Sequence, residues 1–494
     1  MSLIDVKNLT FSYDGSFDNV FENVSFQIDT DWKIGFTGRN GRGKTTFLKL
    51  LMGSYEYTGT INSSVNFEYF PFEVENTALN GIEIAESLYS DFMLWELEYE
   101  LNKLETDSEI LYRPFSTLSK GEQTKLMLAV LFIKENSFLL IDEPTNHLDL
   151  KGRESVSRYL KGKKGFILVS HDRKFLDGCV DHILSINRSD IEIFKGNFSS
   201  WYEYKEKRDL KELAENDRLK KQIKSFSESA AEKSAWSNKV ENTKYGTKNS
   251  GLRPDRGFIG HKAAKMAKRS KAVKRNMENA IEEKSKLLKN IEKSEDLKIE
   301  QLEYHSKNLL TLKDVSLYYG DTKVCGNITF NVEKGDRVAV LGKNGSGKST
   351  LLKLIAFGNI SYKGTFIKGS QLKISYVSQD TSFLRGNLKN FAFENNIDES
   401  LFMAILRKLD FSREQFNKNL ESFSQGQKKK VLIAKSLCEK AHFLVWDEPL
   451  NYIDVISRIQ IETLLLSFPS TMLFVEHDAA FCSKIATRTI SLSR

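Results

Sequence analysis

Long apolar runs are the first thing this 494-residue chain lacks. No uninterrupted stretch approaches the ~18 residues needed to cross a bilayer, which excludes ordinary membrane-spanning helices. The opening Met1-Ser2-Leu3-Ile4-Asp5 has no basic segment followed by an apolar one, so no secretory leader is expected and the chain is expected to stay in the cytoplasm. Cysteine is scarce and scattered: Cys179, Cys325, Cys438 and Cys482 lack paired spacing. That excludes a Cys-x-x-Cys zinc site and a disulfide framework, and leaves buried free thiols as the expectation. What is present, 40% hydrophobic and 28% charged residues, suits globular cores in water, and the length suggests about three domains.

Two complete phosphate-binding loops stand out: Gly38-Arg39-Asn40-Gly41-Arg42-Gly43-Lys44-Thr45 and Gly342-Lys343-Asn344-Gly345-Ser346-Gly347-Lys348-Ser349. Both satisfy G-x-x-x-x-G-K-[ST], in which glycines let backbone N–H groups curl round phosphates, the Lys reaches the outer phosphates and the hydroxyl holds Mg²⁺. Residues 33–37 and 337–341 before them read as short buried strands. The runs led by Thr45-Thr46 and Ser349-Thr350 read as helices. A helix N-terminus there adds partial positive charge and free N–H groups to each site. One isolated match can be a chance Gly-rich turn; two in matching contexts predict two bound nucleotides.

The loops belong to an internal duplication, because residues 1–204 and 306–494 repeat the same order of features. Tyr13 and Tyr319 precede the loops, placed to stack on an adenine. Leu118-Ser119-Lys120-Gly121-Glu122-Gln123 and Phe423-Ser424-Gln425-Gly426-Gln427-Lys428 follow, each opening a helix where a Ser hydroxyl and Gly amides can grip a terminal phosphate. Two apolar strands then end in acids, Asp142-Glu143-Pro144 and Asp447-Glu448-Pro449. The first carboxylate of each pair suits Mg²⁺; the second suits orienting or deprotonating an attacking water. Asp149 and Asp454 come shortly after, and His171 and His477 close a further apolar strand, suited to contact the terminal phosphate. ATP hydrolysis is the reaction these parts predict.

The ordered set resembles the ATP-binding-cassette ATPases over almost all of both halves. The resemblance implies two cassettes packed head to tail within one monomer, each nucleotide lying between one phosphate loop and the other half's signature. One site then joins Lys44, Thr45, Asp142, Glu143 and His171 to Ser424 and Gly426. There Phe423 and Lys428 depart from the usual Leu and Gln, and the position of a Gln that touches Mg²⁺ and water reads Phe72. The other joins Lys348, Ser349, Gln379, Asp447, Glu448 and His477 to Ser119 and Gly121. The second site is expected to hydrolyse faster.

Residues 205–305 have no counterpart in either half. Leu219, Ile223, Phe226 and Ala230, then Val273, Met277, Ala280, Leu287 and Ile291, recur at helical seam spacing. Gly246, Gly251, Pro254, Gly257 and Gly260 cluster between them, so the segment reads as an antiparallel helical hairpin with a tip at about 238–260. Residues 233–275 carry 13 Lys or Arg against two acids, while the whole chain is only +7. A charge run is usually a solvated face. Here Trp236, Tyr245, Phe258 and Ile259 are interleaved with Lys239, Lys244, Arg253, Arg256, Lys262 and Lys265, a mixture suited to phosphate contact and base stacking.

Two cassettes, no membrane segment and an intervening basic hairpin resemble the ABC-F proteins. The long linker with its run from Gly257 to Met266, the uninterrupted spacing between each loop and its signature, and the few residues after His477 resemble the Lsa-type antibiotic-resistance members. The expected architecture is therefore α/β, two ABC-type P-loop ATPase domains joined by a long antiparallel α-helical hairpin. The resemblance implies ATP and Mg²⁺ as cofactors, and the ribosome as partner, through large-subunit RNA at the tRNA exit site and the peptidyl-site tRNA. It also implies protection against lincosamides, pleuromutilins and streptogramin A compounds. A housekeeping ABC-F translation factor, an exporter ATPase and a DNA-repair ATPase are the alternatives; the missing Cys-x-x-Cys pairs weaken the last.

Overall fold

Alternation of fully apolar strands with helices produces, in each half, a mainly parallel sheet covered on both faces. The structure, a computed structural model, describes residues 2–14, 19–134, 136–146, 148–187, 190–242, 265, 268, 275, 299, 301–343 and 345–492. In the first half six strands run in the spatial order Asn66–Phe70, Ser137–Asp142, Phe166–Val169, Lys33–Thr37, His182–Asn187 and Asp190–Lys195. All neighbours are parallel except the last pair. The second half has the five-stranded parallel order Ile374–Val377, Phe443–Asp447, Met472–Val475, Arg337–Leu341 and Arg488–Ser491. Each half adds an antiparallel three-stranded sheet, centred on Leu3–Phe11 in one and Asn308–Tyr319 in the other.

This strand order decides where chemistry can occur. Asp142 pairs in register with Val169, and Phe36 pairs with Val169 on the other side. The phosphate loop, the acidic pair and the His therefore leave the carboxyl ends of three adjacent strands, the edge where ligands bind in open α/β sheets. Burial of Phe138, Leu139, Leu140 and Ile141 on one strand and of Phe166 to Val169 on the next fixes that edge in place.

Helices start where their caps dictate. Ser119 and Ser424 each accept from the backbone N–H three residues on, while Glu122 and Gln427 accept in return from the capping residue's own N–H. These reciprocal bonds define the starts of Lys120–Ile133 and Gln425–Cys438. Asp149 and Asp454 cap Leu150–Lys161 and Val455–Leu466 by accepting from Gly152 N and Ser457 N at 2.8 and 2.9 Å. Among the described residues no helix is long and apolar enough to cross a membrane.

Residues Met1–Trp201 and Asp296–Arg494 form one compact unit, and Tyr202–Glu295 a second. The helix Phe198–Asn242 contains 45 residues, about 67 Å at 1.5 Å per residue. Leu219 and Ile223 of the expected seam are half-buried on it, and Lys265, Lys268 and Arg275 are helical and exposed. The rest of the seam from Phe226 onward and the side chains of Trp236 and Lys239 lie outside the described residues. So do Lys244, Tyr245, Arg253, Arg256, Phe258, Ile259 and Lys262 at the expected tip.

Gly43 shows why the loop motif tolerates nothing larger. Its φ is +91°, and a Cβ there would meet Val20 Cγ1 at 2.5 Å; Gly347 at φ +90° would meet Cys325 Sγ at 2.8 Å. Gly53, at φ +70°, has nothing within 4 Å. Gly43→Ala is expected to lower the thermal midpoint well beyond Gly53→Ala, because it adds a clash to the same backbone strain of about 1–3 kcal/mol. Equal midpoints in the two variants would refute this account of the loop.

Candidate nucleotide sites between the cassettes

The first phosphate loop lies against the second half's signature. Asn40 Nδ2 donates to the Tyr452 carbonyl at 2.7 Å, and Arg39 pairs with Asp410. A Cβ on Gly426 would fall 3.2 Å from Asn40 Nδ2 and 2.3 Å from the Tyr452 carbonyl oxygen, so only a glycine allows this approach. Farther along the same boundary Arg153 donates to the His477 carbonyl at 3.1 Å, and Arg173 pairs with the fully buried Glu462. Head-to-tail apposition is thus built from named contacts.

That apposition encloses a cavity of about 940 Å³, near the upper end of ordinary small-molecule sites. Its walls include Tyr13, Asn40, Gly41, Gly43, Lys44, Thr45, Thr46, Asp142, Glu143 and His171 from one half. Ser424, Gln425, Gly426, Gln427 and Lys430 come from the other. Gly38 underlies the loop, its carbonyl accepting from Lys44 Nζ at 2.8 Å. Gly41, at φ +78° with open space where a Cβ would be, keeps the cradle's floor bare. Tyr13 is held by a 2.6 Å bond between its hydroxyl and that of Thr46, with its ring set edge-on to Phe11 and Tyr55.

The second site repeats the loop, acid and His parts of its own half. Lys348 Nζ donates to the carbonyls of Gly342 and Lys343, each at 2.9 Å, and the Ser349 hydroxyl donates to Asp447 Oδ1 at 3.1 Å. Gly345 repeats the open φ +78° geometry of Gly41, and Thr350 is buried behind the loop. Burial depresses the Lys348 ammonium's pKa, opposed by Glu448, Asp447 and the first half's Asp149. Tyr319 ends its strand exposed. Ser119 and Gly121 open their helix, but among the described residues no hydrogen bond or ion pair joins them to the second loop. Asn344 lies outside the described residues.

The two candidate bases differ in their partners. Glu448 Oε2 accepts from Gln379 Nε2 at 2.9 Å and from Asn451 Nδ2 at 2.6 Å, with His477 Nε2 3.5 Å from Oε1. Burial works against its charge, yet the His477 and Asn451 contacts hold its pKa below the ordinary value. Among the described residues Glu143 has His171 Nε2 3.2 Å from Oε1 and no side-chain amide bonded to it, and burial beside Asp142 pushes it up to about 8. Burial, with Lys44 and Arg458 nearby, drives His171 well below its ordinary range. Phe72, standing where Gln379 stands, is half-buried, and Tyr69, Phe70 and Pro71 line the cavity in its place. Both Glu residues sit at positive φ, 52° and 47°, a strained turn that aims them off the strand end.

The donor set suits a magnesium ion. Thr45 Oγ1 donates to Asp142 Oδ2 at 2.8 Å, as Ser349 does to Asp447, so one hydroxyl and one carboxylate converge in each site. Among the described residues no three His, Cys, Asp or Glu side chains form a metal cage. Mg²⁺ needs none, because it binds through one or two protein oxygens, substrate phosphates and water. Sequence reasoning missed the phenols of Tyr69 and Tyr376, which donate to Asp142 and Asp447 at 3.0 and 3.4 Å. Their equal spacing before Phe72 and Gln379 was the available signal. Arg39, Asp410 and the reach of Arg153 to His477 carried none, since those partners are hundreds of residues apart.

Comparison with known proteins agrees with this geometry. The ABC transporter family model matches residues 21–146 and 325–451. The ribosome protection protein VmlR of Bacillus subtilis (strain 168) is 28% identical, over 98% of this chain and 85% of its own. The energy-dependent translational throttle protein EttA of Escherichia coli O6:H1 is 27% identical, over 96% of this chain and 89% of its own. In fold, the chain is similar to the archaeal ribosome recycling factor aABCE1, solved in complex with the ribosomal stalk protein aP1. The TM-score is 0.64 at 18% identity, over 99% of this chain and 87% of that one.

The hydrogen bonds at Glu448 lead us to expect faster hydrolysis at the second site. Glu448→Gln should reduce ATP turnover by about 10²-fold or more, and Glu143→Gln by less than a tenth as much. Phosphate release from the two purified variants measures this; a larger loss from Glu143→Gln would reverse the ranking.

Proposed function

The chain belongs to the ABC transporter family and is an ATPase with two cassettes, and from that premise we propose that it is a ribosome-binding ABC-F protein of the Lsa-type resistance group. The observation that carries this reading is likeness over nearly the whole chain to proteins named for ribosome protection and translational throttling. It is joined by a linker segment whose charge is strongly basic. An exporter role would demand separate membrane subunits. We assign ATP and Mg²⁺ as cofactors and the cytoplasm as location.

ATP binds with its phosphates against the loop amides and Lys44 or Lys348, and with the opposite half's Ser and Gly amides at the terminal phosphate. Thr45 and Asp142, and Ser349, Asp447 and Gln379, would hold Mg²⁺, which supplies charge neutralisation on the phosphate oxygens. Glu448, fixed by Gln379 and Asn451, orients a water and takes its proton as the water oxygen bonds the γ-phosphorus. The bond to the bridging oxygen breaks, giving ADP and phosphate, while His477 steadies the terminal phosphate. Glu143 and His171 have the same roles in the other site. Because ATP contacts both halves at once, it favours the closed arrangement over an open one, and hydrolysis removes that preference.

Closure at the tRNA exit site directs the linker toward the peptidyl-site tRNA and the peptidyl transferase centre. The tip and the residues just past it, through Lys239, Lys244, Tyr245, Arg253, Arg256, Phe258, Lys262 and Lys265, favour an arrangement of large-subunit RNA that excludes lincosamides, pleuromutilins and streptogramin A compounds. A second reading, a housekeeping ABC-F factor, is favoured by the throttle relative.

Inhibitory concentrations of these drugs in a susceptible host should rise with the wild-type chain and stay at baseline with Glu143→Gln/Glu448→Gln. The double variant should co-sediment with ribosomes in ATP. Absence of both effects would refute the proposal, and ribosome binding without tolerance would select the housekeeping reading. Phe258→Ala should lower tolerance while ATP turnover persists; full tolerance would remove Phe258 from the tip's contacts.

A further inference from the structure

The first cassette's helix Leu94–Lys103 divides its residues between core and surface. Leu97 and Leu101 are fully buried, as is Leu104 just past its end, whereas Met93, Trp95 and Tyr99 are 66%, 64% and 55% exposed. Trp95 and Tyr99 are four residues apart and so share one helical face. Exposed rings at this density mark a contact surface more often than an ordinary solvated one.

The duplication supplies an internal control. The matching helix, Glu399–Lys408, with Leu409 beyond it, buries Phe402, Leu406 and Leu409 at the positions of Leu97, Leu101 and Leu104. Where the first half has Met93, Trp95 and Tyr99, the second has Asp398, Ser400 and Ala404. The same fold therefore forms with the buried set alone. The exposed rings answer to something other than folding.

Charge selects what that is. Residues 86–109 contain eight acids against one Lys, whereas the matching residues 391–414 contain five acids against three bases. Glu96 is committed to the helix start, accepting from Met93 N at 2.9 Å, and Glu105 pairs with Arg158. Asp91 and Glu109 remain exposed and Glu98 half-exposed. Such a field repels a phosphate backbone and attracts cations. The chemistry is already displayed within the helix, where Lys103 Nζ lies 4.0 Å from the centroid of the Tyr99 ring.

We infer that the Met93, Trp95 and Tyr99 surface docks a basic polypeptide segment, its arginines or lysines lying over the two rings with their charged heads toward Asp91, Glu98 and Glu109. Arginine fits best, because its planar guanidinium can stack and pair at once. This inference uses no residue of the nucleotide sites or the linker, so it stands or falls apart from the ribosome proposal.

The test uses the full chain and a fluorescein-labelled peptide of alternating arginine and glycine, followed by anisotropy. Trp95→Ser/Tyr99→Ala, which installs the second half's residues, should weaken peptide binding about tenfold or more while thermal midpoint and ATP turnover stay unchanged. Glu98→Lys, which keeps both rings, should weaken it as well, and added salt should do the same. Undiminished binding in either variant overturns the inference. So does a preference of this surface for single-stranded RNA over the peptide. Self-association of the wild type that the ring variant abolishes would identify a second copy of this chain as the occupant and overturn it too.

Discussion

Closure of one phosphate loop against the signature of the opposite half is the contact on which the rest of the molecule depends. Asn40 reaching the Tyr452 carbonyl, Arg39 on Asp410, and a Gly426 backbone too close for any side chain bring parts more than 370 residues apart into one cavity. Neither half has the whole set of groups that surround a triphosphate. A ligand seated there bridges both halves, and its binding free energy becomes a bias on their arrangement. Buried charge pairs such as Arg173 with Glu462 add little net stability to this boundary, since desolvation offsets much of their attraction.

Duplication did not leave two equal sites. The strand-end phenols, acidic pairs and His residues recur, so the two chemical frames match. The difference lies in the groups that hold the carboxylate after each strand. Gln379 and Asn451 bond to Glu448, while the first half offers Phe72 in place of the glutamine and buries Glu143 with an imidazole for company. His477 and then Asn451 hold the Glu448 pKa down against burial, whereas deeper burial beside Asp142 drives Glu143 toward its neutral form.

The same comparison between halves separates structural from functional residues elsewhere. Leucines and phenylalanines that fill the core of each helical region have counterparts of similar size, because close packing admits little else. Trp95 and Tyr99 have none. Charge is divided in a similar way, with a strongly basic linker and an acidic stretch on the first cassette within one chain.

By itself the sequence determined the two cassettes, their strands and the identity of the loop, signature, acid and His motifs. These are short-range facts: a glycine at φ near +90°, a Ser at a helix start, an apolar run ending in Asp-Glu. Its resemblance to the cassette ATPases marked Phe72 as standing where a glutamine is expected. Only the tertiary structure decided that Arg39 finds Asp410 and Arg153 the His477 carbonyl, that Asn40 reaches the Tyr452 carbonyl, and that tyrosines support the acidic pair. Those pairings depend on where two sheets come to lie against each other, and spacing along a chain carries no record of contacts made between its distant parts.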